Sequence, residues 1–418
     1  MKNAFLNSMV TRLPVFLAIA FITTACKIVI DDGNTVKKDD TGSDTASCSG
    51  TSDGVKWEAL LAENCPNLSD YNLFADPTDP TSGPNSGGLP YDLTTALFTD
   101  YSSKYRYVFI PEGEQASYSQ TEALDFPVGT VIVKTFAMPE NTAFRDGAVR
   151  VIETRLLIHR ADGWVGRPYV WFDTEGNPTN DARLAITGGK LDLTTTHEGA
   201  AMDIEYAVPS VTQCTACHNI VPLVDPGPER PPIAKVIGPK ARYLNKDYDY
   251  GDVIENQLTH WSNVGKLVGV PADFNAIEKA PEFSDLTDVS AMSDADVAIA
   301  AKGYLDINCA HCHRANLGLP QSYGGAAGGS GLRLEWQRSP DDDAFAHGVC
   351  KEPVAGGLAP YEFDVVPGAP ELSYLVHRMS TDDERQRMPE LGRSVVHAEG
   401  VQLIERWVAT LPVANCSP

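Results

Sequence analysis

Hydrophobic and polar positions change period along this chain. From about Leu89 to Pro209 the apolar residues come in short runs rich in β-branched and aromatic side chains: Tyr105 to Ile110, Val128 to Phe136, Val149 to His159 and Trp164 to Phe172. Val149, Val151, Glu153 and Arg155 alternate with Arg150, Ile152, Thr154 and Leu156, the period of a half-buried strand. Asp162-Gly163 between two runs predicts a tight hairpin, and Asp146-Gly147 a second turn. The pattern predicts an antiparallel β domain over 89–204, of a size that suits a sandwich or partial barrel. Nearer the C-terminus the period lengthens. Ser293 with Asp296 three residues on marks a helix start, and Val297, Ala300, Ala301, Tyr304 and Leu305 form one face of a helix running into Cys309. A short helix is predicted over Glu371 to Met379, with Leu372, Leu375, Val376 and Met379 inward. Another runs from Ala398 to Leu411, with Val401, Ile404, Val408 and Leu411 on one side. A further helix, Asp252 to Leu267, puts Val253, Gln257, His260, Val264 and Leu267 on one face. The fold class is α+β, a β domain followed by a mostly helical region.

The remaining segments lack such patterns. Lys2 and Arg12 precede an apolar run, Leu13 to Ile22, that ends in Thr23-Thr24-Ala25-Cys26, as an export signal does. The run is similar to a bacterial lipoprotein signal, with residues 1–25 removed and Cys26 lipidated. The alternative is an ordinary signal peptide with Cys26 free or bridged. The run is shorter than the roughly 20 apolar residues of a membrane span, and no other segment approaches that length. Residues 26–56 read as a flexible acidic tether and 57–88 as an irregular segment punctuated by Pro77, Pro80, Pro84 and Gly87-Gly88. Prolines 222, 226, 228, 231, 232 and 239 break up the module 205–275, and a Gly-rich loop spans Gly324 to Gly331 within the last one, 276–418.

Charge narrows the partners. The net charge is −23, or −25 once the two cations Lys2 and Arg12 leave with the signal. Nucleic acid and anionic lipid headgroups are excluded as electrostatic partners. A basic redox protein would be steered toward this surface, or the acid simply keeps the protein soluble.

Two short runs carry chemistry: Cys214-Thr215-Ala216-Cys217-His218 and Cys309-Ala310-His311-Cys312-His313. Each is a C-x-x-C-H, the attachment motif of a c-type haem, in which both thiols bond the macrocycle and the His can ligate iron. The alternative for two C-x-x-C pairs is a four-Cys zinc site, which needs no His after each second Cys. Two haem c groups are thus the expected cofactors, with His218 and His313 as first axial ligands. For the second haem the opposite ligand is expected to be Met388, because Pro389 favours an extended backbone there. Its rivals are Met379, His377, His347 and His397, while His311 is not expected to ligate. For the first haem His260 is the candidate, with Met202 and His197 as alternatives, or the position is open. Four cysteines remain, Cys48, Cys65, Cys350 and Cys416, and an even remainder in an exported chain suggests two disulfides. Three connectivities are possible, and proximity favours Cys48–Cys65 with Cys350–Cys416.

The order helix, C-x-x-C-H, long loop, Met loop, terminal helix resembles a class I cytochrome c domain. More widely, the runs LSDYNLFADP, PYDLTTALFTDY, FPVGTVIVKTF, IETRLLIHRADGW, QCTACH, IGPKARYLNKDYDYG, ENQLTHW, YLDINCAHCH and RMPELGRSVVHAEGVQLIERW resemble a bacterial family of di-haem c-type cytochrome lipoproteins, often encoded beside a parallel β-helix repeat protein. The resemblance implies electron transfer at the cell envelope, from a lipid anchor in the outer membrane facing the periplasm or the cell surface. It also points to the β-helix protein as a possible partner. Two other classes compete. One is a haem enzyme, either a peroxidase or the haem subunit of a secreted dehydrogenase, although no G-x-G-x-x-G follows a strand. The other is a docking role for the β domain, with Trp164, Tyr169, Trp171 and Phe172 as a platform unless they are core.

Overall fold

The alternating runs pair in the order in which they occur. A computed structural model of the chain describes residues 47–49, 52–145, 147–222, 233–314, 323–354, 360–412 and 416. Strands β1 (Gly88–Pro90), β2 (Ser103–Phe109), β3 (Val131–Pro139), β4 (Val149–Arg160), β5 (Gly163–Phe172) and β6 (Pro178–Leu184) form one antiparallel sheet in sequence order. This is an open meander rather than the expected sandwich or partial barrel. The next two strands, β7 (Gly189–His197) and β8 (Ala200–Val208), form a separate hairpin, and Thr196 of β7 also bridges to Asn141. The hairpin between β4 and β5 closes through Ala161-Asp162, and Gly163 already pairs with Arg160 at a φ of 122°. The turn therefore falls one residue earlier than Asp162-Gly163 suggests. The expected signal, Cys26, Asp146 and most of the Pro-rich run lie outside the described residues.

Both faces of the sheet are covered, which is why its strands carry more apolar residues than a one-sided sheet needs. On one face Tyr107, Val133, Leu156, Tyr169 and Trp171 pack beneath Leu60, Leu68, Tyr71 and Phe74. That cover is the segment expected to be irregular. It holds helix α1 (Trp57–Ala62), a 3-10 turn over Leu68–Tyr71 and a small hairpin, Phe74–Asp76 with Asp79–Pro84. It is stapled at its start by the Cys48–Cys65 disulfide. Cys48, within the span 26–56 expected to be a tether, is buried. Tyr169 and Trp171 are core, and the Trp171 indole N–H donates to Thr154 Oγ1 at 3.0 Å, so the four aromatics form no platform.

On the other face Val108, Ile110 and Ile132 pack against Tyr243, Leu244, Trp261, Ile307 and Trp336, so the β and helical regions share a core. Besides α1 and a one-turn helix at Ala241–Leu244, the α-helices among the described residues are α2 (Val211–His218), α3 (Gln257–Asn263), α4 (Asp294–Asn308), α5 (Tyr374–Ser380) and α6 (Ala398–Thr410). Helix α3 is far shorter than the expected span from Asp252 to Leu267. Residues Ile254–Asn256 pair with Asp247–Asp249 instead, and the Asn256 side chain caps α3 by accepting from Leu258 N–H. Its buried face is Leu258 and Trp261, while Val253 and Val264 are exposed, so His260 does not sit on an apolar stripe. Leu372 likewise lies outside α5 and is 56% exposed, whereas Leu375, Val376 and Met379 are buried. Ser293 caps α4 by accepting from Asp296 N–H, and α4 packs on α6 through Val297, Ala300, Ala301, Leu403, Ile404 and Trp407. A second disulfide joins Cys350 to Cys416. Among the described residues no helix is long and apolar enough to cross a membrane.

One buried carboxylate ties the layers together. Asp306 on α4 accepts from Lys240 Nζ at 2.9 Å, from Arg242 Nε at 3.1 Å, from the Tyr243 hydroxyl at 2.8 Å and from Trp336 N–H at 3.1 Å. The two cations and these hydrogen bonds outweigh burial and hold its pKa well below the ordinary carboxylate value.

Candidate functional site

Helix α2 exists because its first turn is satisfied from both sides. Ser210 Oγ accepts from Gln213 N–H at 3.2 Å, and Gln213 Oε1 accepts from Ser210 N–H at 2.9 Å. Once helical, Cys214, Cys217 and His218 stand three and four residues apart on one face, which a motif that grips a single cofactor needs. The helix lies against β5 at Gly166, where a Cβ would come within 3.2 Å of Cys214 Sγ. His218 Nδ1 lies 2.7 Å from Lys235 O. A carbonyl only accepts, so Nδ1 carries the proton and Nε2 keeps its lone pair, the orientation in which an imidazole binds metal. Burial also lowers the His218 pKa, which favours that neutral form.

The second motif begins where α4 ends. Cys309 is the C-cap, and the chain turns so that Cys312 N–H and His313 N–H both donate to Cys309 O. His313 Nδ1 meets Ser330 Oγ at 3.0 Å, and burial pushes its pKa down to about 4. The loop after the motif passes so close that a Cβ on Gly325 would stand 2.3 Å from Cys312 O, which leaves room only for glycine there.

Cys309, Cys312, His313 and Met388 line one cavity of about 600 Å³, together with Leu334, Leu375 and Met379 among its apolar walls. That volume lies within the roughly 300–1,000 Å³ common to cofactor sites. Arg378, Arg385 and Arg393 also reach its wall. Arg393 fixes the Met388 loop: its Nε donates to Met388 O at 3.0 Å and its terminal amino group to Thr381 O at 2.9 Å. Met388 N–H donates to Arg378 O at 2.7 Å, so the loop hangs from the end of α5. Thiols, a neutral imidazole and a thioether around an apolar volume fit a covalently held macrocycle with iron at its centre.

The two motifs are neighbours. Strand β9 (Asn219–Pro222) follows the first motif and pairs with both β10 (Ile233–Ala234) and β11 (Tyr323–Gly324), the latter just beyond the second motif. Cys312 Sγ contacts Ala216 O at 3.7 Å. It also donates to Cys217, which draws the Cys217 thiol well below its ordinary pKa and pushes Cys312 up. His311 adds a hydrogen bond to Cys217. The four thiols do not converge as a group of three or more metal-ligand atoms. Among the described residues the one group of three or more His, Cys, Asp or Glu with converging ligand atoms is His197, Glu198 and Glu399.

The other sequence candidates are engaged elsewhere. His260 pairs with Glu255 Oε1 at 2.7 Å and stacks on Tyr250, and neither partner belongs to the first motif. Met202 is on β8 opposite Thr195 and packs against the core between that hairpin and β3. His197 contacts Thr142 and Tyr101. Among the rivals of Met388, His377 binds Gln386 and stacks on Tyr361, and His347 is buried near Asp343. His397 bonds Tyr304 and, like Met379, lines the same cavity as Met388, Met379 doing so from within the α5 core stripe. Sequence reasoning missed Arg378, Arg393 and Ser330, since nothing local marks them. No family model, curated protein or solved structure matches this chain.

Proposed function

We propose that this chain is a di-haem c-type cytochrome that carries electrons at the bacterial cell envelope, held to the membrane through a lipid on Cys26. The observation that carries the reading is the shared cavity: Cys309, Cys312, His313 and Met388 line one apolar volume. A bound haem supplies reversible one-electron chemistry. The protein supplies everything else. Cys309 and Cys312 would fasten the group, Ser330 holds the His313 imidazole in one orientation, and the His313 imidazole and Met388 thioether would be the ligands offered to its iron. The apolar walls keep water away, and a Met ligand raises the potential relative to a second His. Arg378, Arg385 and Arg393 supply cations for the propionates. At the first motif Cys214 and Cys217 fasten a second haem, with the His218 lone pair set by the Lys235 carbonyl. His260, Met202 and His197 gain no support as its opposite ligand.

The test is a haem count. Mature protein made with cytochrome c maturation should give two haems per chain in a pyridine haemochrome assay and a c-type reduced-minus-oxidised spectrum. Replacing Cys309 and Cys312 with Ser should remove one haem from the intact mass. Thiol-bound zinc with no covalent haem sinks the reading. Cys26→Ser should release the protein from membranes or block signal cleavage, and retention after a high-salt wash would place the anchor elsewhere.

A further inference from the structure

Two histidines that the haem chemistry leaves unused face one carboxylate. His197, at the end of β7, has its Nε2 3.7 Å from Glu399 Oε1, and His397, at the N-cap of α6, has its Nε2 3.7 Å from Glu399 Oε2. That is too long for a hydrogen bond, and neither ring nitrogen has any other partner although both are buried. The His397 side chain is only 8% exposed. A buried pair of orphaned nitrogens aimed at a buried carboxylate needs an explanation. The Glu198 carboxylate also approaches: it, His197 and Glu399 offer ligand atoms that all lie within 4.8 Å of one another.

The outer edges of both rings are held. Thr142 Oγ1 lies 2.9 Å from His197 Nδ1, and the Tyr304 hydroxyl lies 2.9 Å from His397 Nδ1. With the Nδ1 protons directed at those hydroxyls, both Nε2 atoms present lone pairs inward. Tyr101 O–H donates to Glu399 Oε2 at 2.9 Å and fixes the carboxylate. Ring stacking holds the imidazole planes, His397 on Phe98 and His197 against Tyr101. Gly400 keeps the second hydrogen bond possible, since a Cβ there would stand 2.4 Å from the Tyr304 hydroxyl oxygen and 2.7 Å from His397 Nδ1.

We propose that His197, Glu198 and Glu399, whose ligand atoms converge, form a binding site for one divalent transition-metal ion of the zinc class, which fastens the tip of the β7–β8 hairpin to the start of α6, with His397 facing the second oxygen of Glu399. Two metal bonds of about 2.1 Å at a tetrahedral angle span about 3.4 Å, close to both observed gaps. The imidazole of His197 among the ligands selects zinc and its neighbours over calcium or magnesium, which prefer all-oxygen sites. The metal stands outside the thiol motifs and does not depend on whether they carry haem.

The test uses full-length protein stripped by a chelating resin, equilibrated with zinc, desalted, and read by elemental mass spectrometry. One zinc per chain is expected. His197→Ala and Glu399→Gln should each weaken binding at least tenfold. Thr142→Val, which keeps every ligand and removes only the Nδ1 partner of His197, should weaken it on the order of tenfold. Wild-type protein that retains no zinc at micromolar free metal overturns the site without reference to any variant. Zinc held equally by wild type and a folded His197→Ala/Glu399→Gln double variant also overturns it, and assigns the metal to the thiols. Calcium that displaces zinc at equal concentration overturns the metal class.

Discussion

Met388 and Met379 both reach the cavity, but the fold holds them differently. Met379 belongs to the buried stripe of α5, packed with Leu375 and Val376, while Met388 is carried on a loop pinned by Arg393. On the proposed function, Met388→Ala is expected to abolish the weak charge-transfer band of a thioether-ligated ferric haem, lower the potential of one haem and admit carbon monoxide. Met379→Ala should keep the band and lose about 2–5 kcal/mol of stability in denaturant titrations. Loss of the band in the second variant alone would reverse the two assignments. A second residue speaks through pH. His347 is buried, and burial lowers its pKa to about 4, against an ordinary 6.5. Below about pH 6.5 the unfolded chain takes up a proton that the folded chain refuses. Stability should therefore fall with pH at up to about 1.4 kcal/mol per unit between 6.5 and 4, then level off for this group. Urea midpoints of His347→Gln should show a shallower slope than wild type in that window; parallel slopes would count against it. At this scale Cys309, Cys312, His313 and Met388, which line one cavity, were legible because C-x-x-C-H and Met-Pro are local patterns. Glu399, which meets His197 from two hundred residues away, has no local signature.

Strands and helices were legible where periodicity is strong and caps are explicit. Strands β2 to β5, Ser293 at the head of α4 and the last helix stand within a few residues of their expected places, while the outer strands β1 and β6 carried no such signal. What misled was context. Val253 and Val264 complete a helical face on paper, but Asn256 starts α3 late and the hairpin before it takes the earlier residues. The 57–88 segment has little periodicity because its apolar residues cover a sheet from short turns and not from one long element. The joint between elements was equally invisible, since Asp306 meets Lys240 and Arg242 more than sixty residues back in the chain. Asp306→Ala leaves two buried cations without a counter-charge, and such a loss typically costs about 3–5 kcal/mol. Thermal or urea unfolding should show it, with the largest effect on the packing of α4 against Trp336 and Tyr243. A change under 1 kcal/mol would mean that water reaches the cations.

For the molecule as a whole, the class α+β was readable and the sheet's closure was not, because strand count alone does not say whether a meander curls shut. The two disulfides join the nearest partners, Cys48 with Cys65 and Cys350 with Cys416. The second closes a loop of 66 residues. Replacing both its cysteines with Ala should cost about 4 kcal/mol if loop entropy dominates, and a loss under 1 kcal/mol would show that the oxidised and reduced chains unfold to similar ensembles. That loop encloses Met388, Arg393, α5 and α6, while both C-x-x-C-H motifs lie outside it. The cavity thus has one wall borne by the main thread and the other by a lasso. Arg385, on the lasso, is 78% exposed and open to trypsin. A cut there should leave the far wall captive, so that nicked protein migrates as one piece until a reductant frees the fragment that carries Met388.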